Sequence, residues 1–489
     1  MDETQKSGET KGAHREYLRE LFWHQLWQSA NFLSKALFLL LMTPLMLKRW
    51  GADGYGLYAL ASSLLVSMAL TDGGVRSLTR LRLTEALQRN DEAAFRHALG
   101  EGVFTFLTVL TTIVLAAIGF AASGLMQSAL KLPPGGSLVL VTTVILTGFM
   151  LTTLLALEPL CARGKLSLVK AANTVGAVAA IPVCGGAVWF GGSVMAVIVL
   201  YSACMLLPNL WLIIKSGIPA QLPAWGAPCY TRRVVFSTLK AGVWYYVTTI
   251  ALVIKTHALT FIVSALAGPA EAGIFYFMLR FTEIIGSVGA SASETSLASL
   301  AAATNAAERR QKFNHSWLYV ALFCLPGALV FAFQGQWILH LWFAHQAIAW
   351  TAGLGMAVFG LAGAFSRVVV NASMGLRLIK LAALFNLAEA AINMILAVVG
   401  YQLLGLVGFL FGGCLGILMM LVPAKKIATV CEESFFGAFI RPLGAIAVGQ
   451  VFIALTQAGA ALTPSAILKF AAIAIAGGIT LIQLRRLHR

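Results

Sequence analysis

Five basic side chains lie inside long apolar segments of this sequence, and they are the residues whose types and positions point most directly to chemistry. They are Lys35, Lys255, Arg280, Arg367 and Lys469. A charge near the centre of a bilayer costs about 2.5–3.5 kcal/mol on insertion scales, so such residues usually face the interior of a helix bundle. Two roles fit them: binding of an anionic ligand, or an ion pair between packed helices.

The first apolar segment carries a polar stripe that ends in a lysine. Gln28, Asn31 and Lys35 follow one another at helical spacing, so they share one face. The segment contains no acidic residue that could pair with Lys35. We interpret this stripe as the wall of a water-filled cavity for an anionic ligand. A carboxylate on another helix is the alternative.

The seventh segment contains "LVIKTHALTFIVSALAG", with Lys255 near the middle of the apolar run. We expect Lys255 to line the same cavity. His257 is two residues further on and therefore points about 160° away on a helix. Both side chains cannot line one narrow cavity unless the helix bends. We therefore interpret His257 as a packed histidine rather than a proton carrier.

The eighth segment has the longest polar stripe. Arg280 and Glu283 are at i, i+3 spacing and are predicted to pair. The stripe is predicted to line a cavity, although it could also pack against another polar helix. Its members are Tyr276, Arg280, Glu283, Ser287, Ser291 and Glu294.

Two further charge pairs are predicted. Arg367 and Glu389 lie at similar depth on the two arms of a helical hairpin, so they are expected to form an ion pair, whether structural or functional. Asp72 and Arg76 are at i, i+4 spacing at the inner end of the second segment. They are interpreted as a helix-end salt bridge, with gating as the functional alternative.

No catalytic constellation accompanies these charges. The sequence has no P-loop, HExxH or GxSxG pattern, which disfavours an enzyme. The seven cysteines form no CxxC pair and mostly lie in apolar runs, so we read them as buried hydrophobic residues. We therefore predict no metal and no cofactor.

The composition indicates what must position these side chains. Of the 489 residues, 59% are hydrophobic and only 11% are charged, with a mean hydropathy of +0.83. Soluble domains have about 25% charged residues. Fourteen uniformly apolar segments lie between residues 26 and 484. They predict an all-α polytopic membrane protein with about 14 transmembrane helices, because lipid cannot satisfy free backbone groups.

The predicted membrane topology accounts for the net charge of +16. Three basic residues, Lys48, Arg49 and Lys131, fall in the predicted outside loops, and five fall within the spans. The remainder fall in the inside loops and tails, as the positive-inside rule requires. Both termini are therefore predicted to be cytoplasmic, and the charge does not indicate nucleic acid.

A weak internal repeat suggests two halves of equal orientation. "GADGYGLY" from Gly51 follows the first segment, and "GPAEAGIF" from Gly268 follows the seventh, 217 residues later. Parallel repeats around a central cavity are a transporter architecture. The predicted domains are a cytoplasmic tail with an interfacial amphipathic helix (1–25), a six-helix lobe (26–214), a cytoplasmic linker (215–239), a second six-helix lobe (240–424) and two additional helices with a basic tail (425–489).

The stretch "RWGADGYGLYALASSLLVSMALTDGGVRSLTRLRLTEALQRND" resembles the polysaccharide (O-antigen, Wzx-type) flippases. These share a superfamily with the MATE drug exporters and the lipid II flippase. The resemblance lies in Gly51, in Tyr55-Gly56, in an acidic-Gly segment at Asp72 and in the basic helix from Arg76 to Arg89. The family more often has Asp-Leu-Gly where this chain has Asp-Gly-Gly. Beyond the first hundred residues, only length, segment count and loop pattern agree.

The resemblance implies a flippase of the bacterial inner membrane that moves an undecaprenyl-diphosphate-linked oligosaccharide by alternating access. Its partners would be the lipid-linked oligosaccharide, membrane lipid, and a polysaccharide polymerase with its export machinery. Lys35, Lys255 and Arg280 would then hold the diphosphate. The alternatives are a MATE-like, ion-coupled exporter of cationic drugs, and an enzyme such as a polymerase or ligase. The short outside loops disfavour an enzyme, and the basic segments disfavour a cation exporter.

Overall fold

A computed structural model describes residues 3–70, 74–218, 231–301, 303, 305–343 and 351–433. All regular structure in these ranges is helical. The elements are α1 (Glu3–Leu70), α2 (Val75–Gln88), α3 (Glu92–Ala122), α4 (Leu125–Ala129), α5 (Gly136–Ala156), α6 (Glu158–Ala162), α7 (Leu166–Trp189), α8 (Val194–Lys215), α9 (Arg232–Val253), a π-helix (Ile254–Ala258), α10 (Leu259–Ala267), α11 (Pro269–Ala301), α12 (Ala306–Trp342), α13 (Thr351–Gly375), α14 (Ile379–Leu415), a 3₁₀-helix (Gly416–Met420) and α15 (Leu421–Val430).

Several helices begin at polar residues that cap free backbone N–H groups. Asp91 accepts from the Ala94 N–H before α3, at 2.9 Å. Asn305 does the same before α12, accepting from the Glu308 N–H at 2.8 Å. Such caps satisfy donors that have no partner within the helix. Local sequence therefore sets where these helices begin.

Seven helical stretches in the described residues are long and apolar enough to cross a membrane. One of them, Ile379–Val430, is 52 residues long and includes a break at Leu404 and Gly405. This break separates two arms, as the eleventh and twelfth apolar segments predict. The predicted thirteenth and fourteenth segments, at 438–456 and 464–484, lie outside the described residues. The total of fourteen helices remains a prediction.

The internal repeat is visible in the backbone. Gly51 interrupts α1 with φ 72° and ψ −175°, and Gly268 separates α10 from α11 with φ 101° and ψ 175°. L-residues with a side chain rarely adopt this conformation, so glycine is required at both points. The two breaks are 217 residues apart, which is the offset of the sequence repeat.

A second pair of glycines with the same offset brings the two repeats into contact. A Cβ atom on Gly56 would lie 1.8 Å from the carbonyl oxygen of Pro269. A Cβ atom on Gly273 would lie 3.2 Å from the Cα atom of Gly56. Small residues of this kind allow membrane helices to approach closely. The second part of α1 and the start of α11 therefore cross with almost no side chain between them.

The chain divides into two compact units. The first comprises Met1–Val253 and His257–Tyr276, and the second comprises Ile254–Thr256 and Phe277–Arg489. Apart from the short stretch Ile254–Thr256, the two units meet in sequence between Tyr276 and Phe277. The described part of α9 and the start of α11 pack with the N-terminal helices, since α9 contacts α2 and α3. The predicted lobe boundaries remain a prediction.

Candidate functional site

The second unit contains a buried cluster of polar side chains around Lys255. The lysine ammonium donates to Ser366 Oγ at 2.7 Å, to Asn386 Oδ1 at 2.5 Å and to Glu389 Oε2 at 2.8 Å. Ser366 Oγ also donates to Glu389 Oε2, at 2.8 Å. We call these four residues the Lys255 cluster. It joins a residue of the π-helix to residues of α13 and α14.

The Lys255 cluster is closed to its surroundings. Its members are between 1% and 9% exposed. An ammonium group has three N–H donors, and all three have an oxygen acceptor here. A buried ion pair is tolerated when its geometry is good and its remaining hydrogen bonds are satisfied. The cluster meets both conditions for the lysine.

The π-helix positions Lys255. The residues around it form an i→i+5 turn from Ile254 to Ala258 within an otherwise α-helical span. Such a turn holds one extra residue and frequently marks a functional site in membrane and soluble helices. We predicted that Lys255 and His257 could line one narrow cavity only if the helix bends, and the π-turn is a local departure from α geometry at this point.

The other side of the Lys255 cluster is held by a glycine-rich hairpin within the span Ile379–Val430. Gly408, Gly412 and Gly416 follow at intervals of four residues and pack on the backbone of the arm that carries Glu389. A Cβ atom on Gly412 would lie 2.0 Å from the Leu396 carbonyl oxygen, and one on Gly416 would lie 2.6 Å from the Glu389 carbonyl oxygen. This contact leaves the Glu389 backbone little room to move.

The Gly416 N–H also donates to Asn393 Oδ1 at 2.7 Å. This bond ties the second arm of the hairpin to the same helical face that carries Asn386 and Glu389. On the predicted polar face of α14, Asn386 and Glu389 therefore bind Lys255, and Asn393 binds the backbone of the adjoining 3₁₀-helix.

The structure corrects two expectations about these charges. Glu389 pairs with Lys255 rather than with Arg367. Adjacent residues of α13 point about 100° apart, and it is Ser366 that faces the carboxylate. Lys255 is not the open cavity cation that we expected, because its charge is compensated inside the unit. The ion pair between packed helices, the alternative reading of an intramembrane cation, describes it better.

Arg367 faces α11 instead. Its guanidinium carbon would lie 3.7 Å from a Cβ atom on Gly286. Gly286 is at i+3 from Glu283, so these two residues point about 60° apart on α11. Arg280 Nη1 donates to Glu283 Oε2 at 2.5 Å, as the spacing predicts. The Arg280–Glu283 pair and the Arg367 contact thus lie within two turns of α11.

The side chains of Ser287, Ser291 and Glu294 lie outside the described set. Arg280 and Glu283 are partly buried, with side chains 17% and 19% exposed. Arg367 is also intermediate in exposure and interacts electrostatically with Lys255.

In the first unit, Lys35 is exposed on α1 and Asn31 is partly exposed. The side chain of Gln28 lies outside the described set. The first unit also contains a polar contact that we did not predict. Asn209 Nδ2 of α8 donates to Asn173 Oδ1 of α7, at 3.2 Å. Both interpretations of Lys35 stay open.

A second ion cluster was missed at sequence level. Glu158, which is 0% exposed, accepts from Arg76 Nε at 2.8 Å and from Arg80 Nε at 2.6 Å. The predicted partner of Arg76 was Asp72, which lies outside the described residues. A single acidic residue at the start of an inside loop, opposite an arginine-rich helix, was the available signal. This cluster fastens α2 to the inner end of α5 and α6.

Metal binding is not indicated by the described part of the chain. No group of three or more His, Cys, Asp or Glu side chains is placed there to hold an ion. The donors around Lys255 are already used by its ammonium group.

Solved structures of the same architecture are known. The lipid II flippase MurJ, in an inward closed conformation, superposes with a TM-score of 0.69 at 14% identity, over 95% of this chain and 100% of that chain. A multidrug resistance MATE family transporter of the MOP superfamily, in its inward-facing conformation, gives a TM-score of 0.64 at 13% identity, over 81% of this chain and 96% of that chain.

The chain has the fold of the MOP superfamily transporters. The eukaryotic MATE transporter AtDTX14 is also similar, with a TM-score of 0.57 at 14% identity over 88% of this chain and 99% of that chain. No protein-family model and no curated protein matches the sequence. The MOP fold is thus established by shape, and the ligand has to be argued from the side chains of this chain.

Proposed function

We propose that this protein is a flippase that moves an undecaprenyl-diphosphate-linked oligosaccharide, the repeat unit of a polysaccharide, across the bacterial inner membrane by alternating access. The MOP fold supports membrane transport as the general activity. The basic side chains within the described spans support an anionic substrate. The product would pass to a polysaccharide polymerase and its export machinery, for O-antigen or exopolysaccharide.

The basic side chains within the described spans are the observation that carries the proposal. In the second unit they are Lys255, Arg280 and Arg367. Charged residues inside membrane spans are rare, usually face the bundle interior and often mark a substrate pathway. A diphosphate is strongly anionic, and a guanidinium group matches its oxygens in a two-pronged geometry.

The sugar and the lipid chain of the substrate are proposed to meet different surroundings. Sugar hydroxyl groups need hydrogen-bonding partners, and the polar stripes predicted on α1 and α11 are proposed to supply them. The undecaprenyl chain is apolar and can stay in the bilayer, so the protein needs to enclose only the head group. Lys35 in the first unit is proposed to contribute a further cation to that head group.

The proposal is tested with protein in liposomes that carry the lipid-linked oligosaccharide in one leaflet. Wild type is expected to move it to the other leaflet, and Arg367→Gln is expected to move it at least about tenfold more slowly, because a hydrogen bond to a charged group contributes about 1.5–3 kcal/mol. Lys425→Gln is the matched control, because it removes one exposed positive charge from α15 in the same unit. Equal transport by wild type and Arg367→Gln would refute the role of this cation.

The alternative is a MATE-like, ion-coupled exporter of cationic drugs, favoured by the similarity to MATE transporters. The same liposomes distinguish it. Export of a cationic dye by wild type, with no movement of the lipid-linked oligosaccharide, would replace the flippase proposal with this one.

A further inference from the structure

The carboxylate of Glu389 takes the place at the Lys255 ammonium that an oxygen of an anionic ligand would need. We propose that Glu389 is an internal anion that competes with the substrate's diphosphate for Lys255, and that this competition selects substrates with a strongly charged head group. The inference rests on the proposed function, because it concerns how the same site chooses its ligand.

The competition follows from the geometry of the ammonium group. Its three donors are used by Ser366, Asn386 and Glu389, so a phosphate oxygen can bind only if one acceptor leaves. Glu389 is the acceptor that must yield, because a second anion beside it would repel it. The neutral oxygens of Ser366 and Asn386 have no such conflict with a phosphate.

The exchange discriminates between head groups by charge. A singly charged head group would replace one carboxylate with an equal charge and would leave Glu389 buried without its cation, which is costly. A diphosphate brings more charge and more acceptor oxygens. Arg367, which interacts with Lys255 electrostatically, adds attraction for the incoming anion. Neutral and singly charged lipids, which are abundant in a membrane, are therefore rejected.

Lys255 is the member of the pair that can move. Its π-turn contains one residue more than an α-turn, and conversion to α geometry would rotate the side chain by about 100°. Glu389 stands on a backbone that is confined by Gly416 and its neighbours. Separation of the Lys255 ammonium from the Glu389 carboxylate is therefore expected to come from movement of the lysine side chain rather than of the Glu389 backbone.

The test measures binding of farnesyl diphosphate and farnesyl monophosphate to the full chain in nanodiscs. Glu389→Gln removes the competing charge but keeps an acceptor oxygen. We expect it to bind farnesyl diphosphate about tenfold more tightly than wild type. In wild type the ion pair occupies Lys255 in most molecules, and apparent affinity falls with the fraction of molecules that can bind. Its preference for the diphosphate over the monophosphate should fall. Glu433→Gln, which neutralises a carboxylate 3.7 Å from Arg310 in the same unit, should match wild type.

A double variant shows whether Glu389 acts through the lysine. Lys255→Gln should weaken binding of farnesyl diphosphate, and Lys255→Gln/Glu389→Gln should bind no more tightly than Lys255→Gln alone. Such non-additivity is the signature of two residues that act on one another. If Glu389→Gln tightens binding equally in both backgrounds, the carboxylate does not compete for Lys255 and the proposal is overturned.

Two further outcomes decide the proposal. If Glu389→Gln weakens binding as much as Lys255→Gln, Glu389 positions the lysine for the ligand instead of competing with it. If Glu389→Gln does not fold, Asn386→Asp tests the same idea by adding a competing charge instead of removing one. A second carboxylate at the Lys255 ammonium should weaken binding of farnesyl diphosphate severalfold. Unchanged or tighter binding by Asn386→Asp would overturn the proposal.

Failure of the proposed function gives a different result. In that case wild type and every variant would fail to bind either farnesyl compound, while the cationic dye would still be exported. Wild-type binding of farnesyl diphosphate without the effects expected for Glu389→Gln would overturn the competition alone.

Discussion

Gly56 and Gly273 face one another in direct backbone contact, although they are 217 residues apart in the chain. Each occupies the same position in its half of the internal repeat. Each repeat has its backbone break five residues earlier, at Gly51 and at Gly268. The contact therefore joins equivalent positions of the sequence repeat.

Replacing Gly56 with alanine should destabilise the protein. The new methyl group would lie 1.8 Å from the Pro269 carbonyl oxygen, and a backbone atom cannot move aside cheaply. Overpacking of this kind costs about 1–3 kcal/mol. Thermal unfolding in detergent should show a lower Tm for Gly56→Ala.

Gly186→Ala is the control for that measurement. Gly186 lies in α7 of the same unit, and a Cβ atom there would meet nothing within 4 Å. Its Tm should be unchanged or slightly higher, because alanine favours a helix by about 1 kcal/mol over glycine. Equal loss of stability in both variants would show that the contact with Pro269 is not the cause.

Glu158→Gln should loosen α2 from the inner end of α5. The substitution leaves Arg76 and Arg80 facing an uncharged amide, so two charge-assisted hydrogen bonds are weakened. Because both arginines are partly exposed and water can solvate them, we expect a loss of about 2 kcal/mol in the free energy of unfolding, less than for a fully buried pair.

The control is Glu92→Gln, whose carboxylate pairs with Arg96 on the surface at 3.2 Å. Exposed pairs contribute about 0–1 kcal/mol, so this variant should be close to wild type in denaturant unfolding. A loss as small for Glu158→Gln as for Glu92→Gln would contradict the anchoring role of Glu158.

Lys255→Met should be strongly destabilising, because it leaves the Glu389 carboxylate buried without its cation. Removal of one partner from a buried pair costs about 3–5 kcal/mol. Lys255→Met/Glu389→Gln should regain a large part of that loss, since no buried charge is left uncompensated. Unfolding of the two variants, compared with wild type, measures the recovery. Equal stability of the single and double variants would show that the ion pair does not hold these helices together.

The sequence by itself was enough to predict several features that depend on local geometry. The apolar segments predicted helices, and every described element is helical. The repeat predicted matching breaks at Gly51 and Gly268. The i, i+3 spacing predicted the pair of Arg280 and Glu283, because two residues on one helix are brought together by the helix itself.

Only the tertiary structure decided the partners of charges on different helices. Lys255 and Glu389 are 134 residues apart. Their pairing depends on the rotation and depth of three helices and on a π-turn that the apolar pattern does not encode. The same holds for Glu158, whose arginine partners lie 82 and 78 residues away. The sequence shows which side chains are costly to bury, but packing determines which of them compensate one another, because an ion pair requires contact in space.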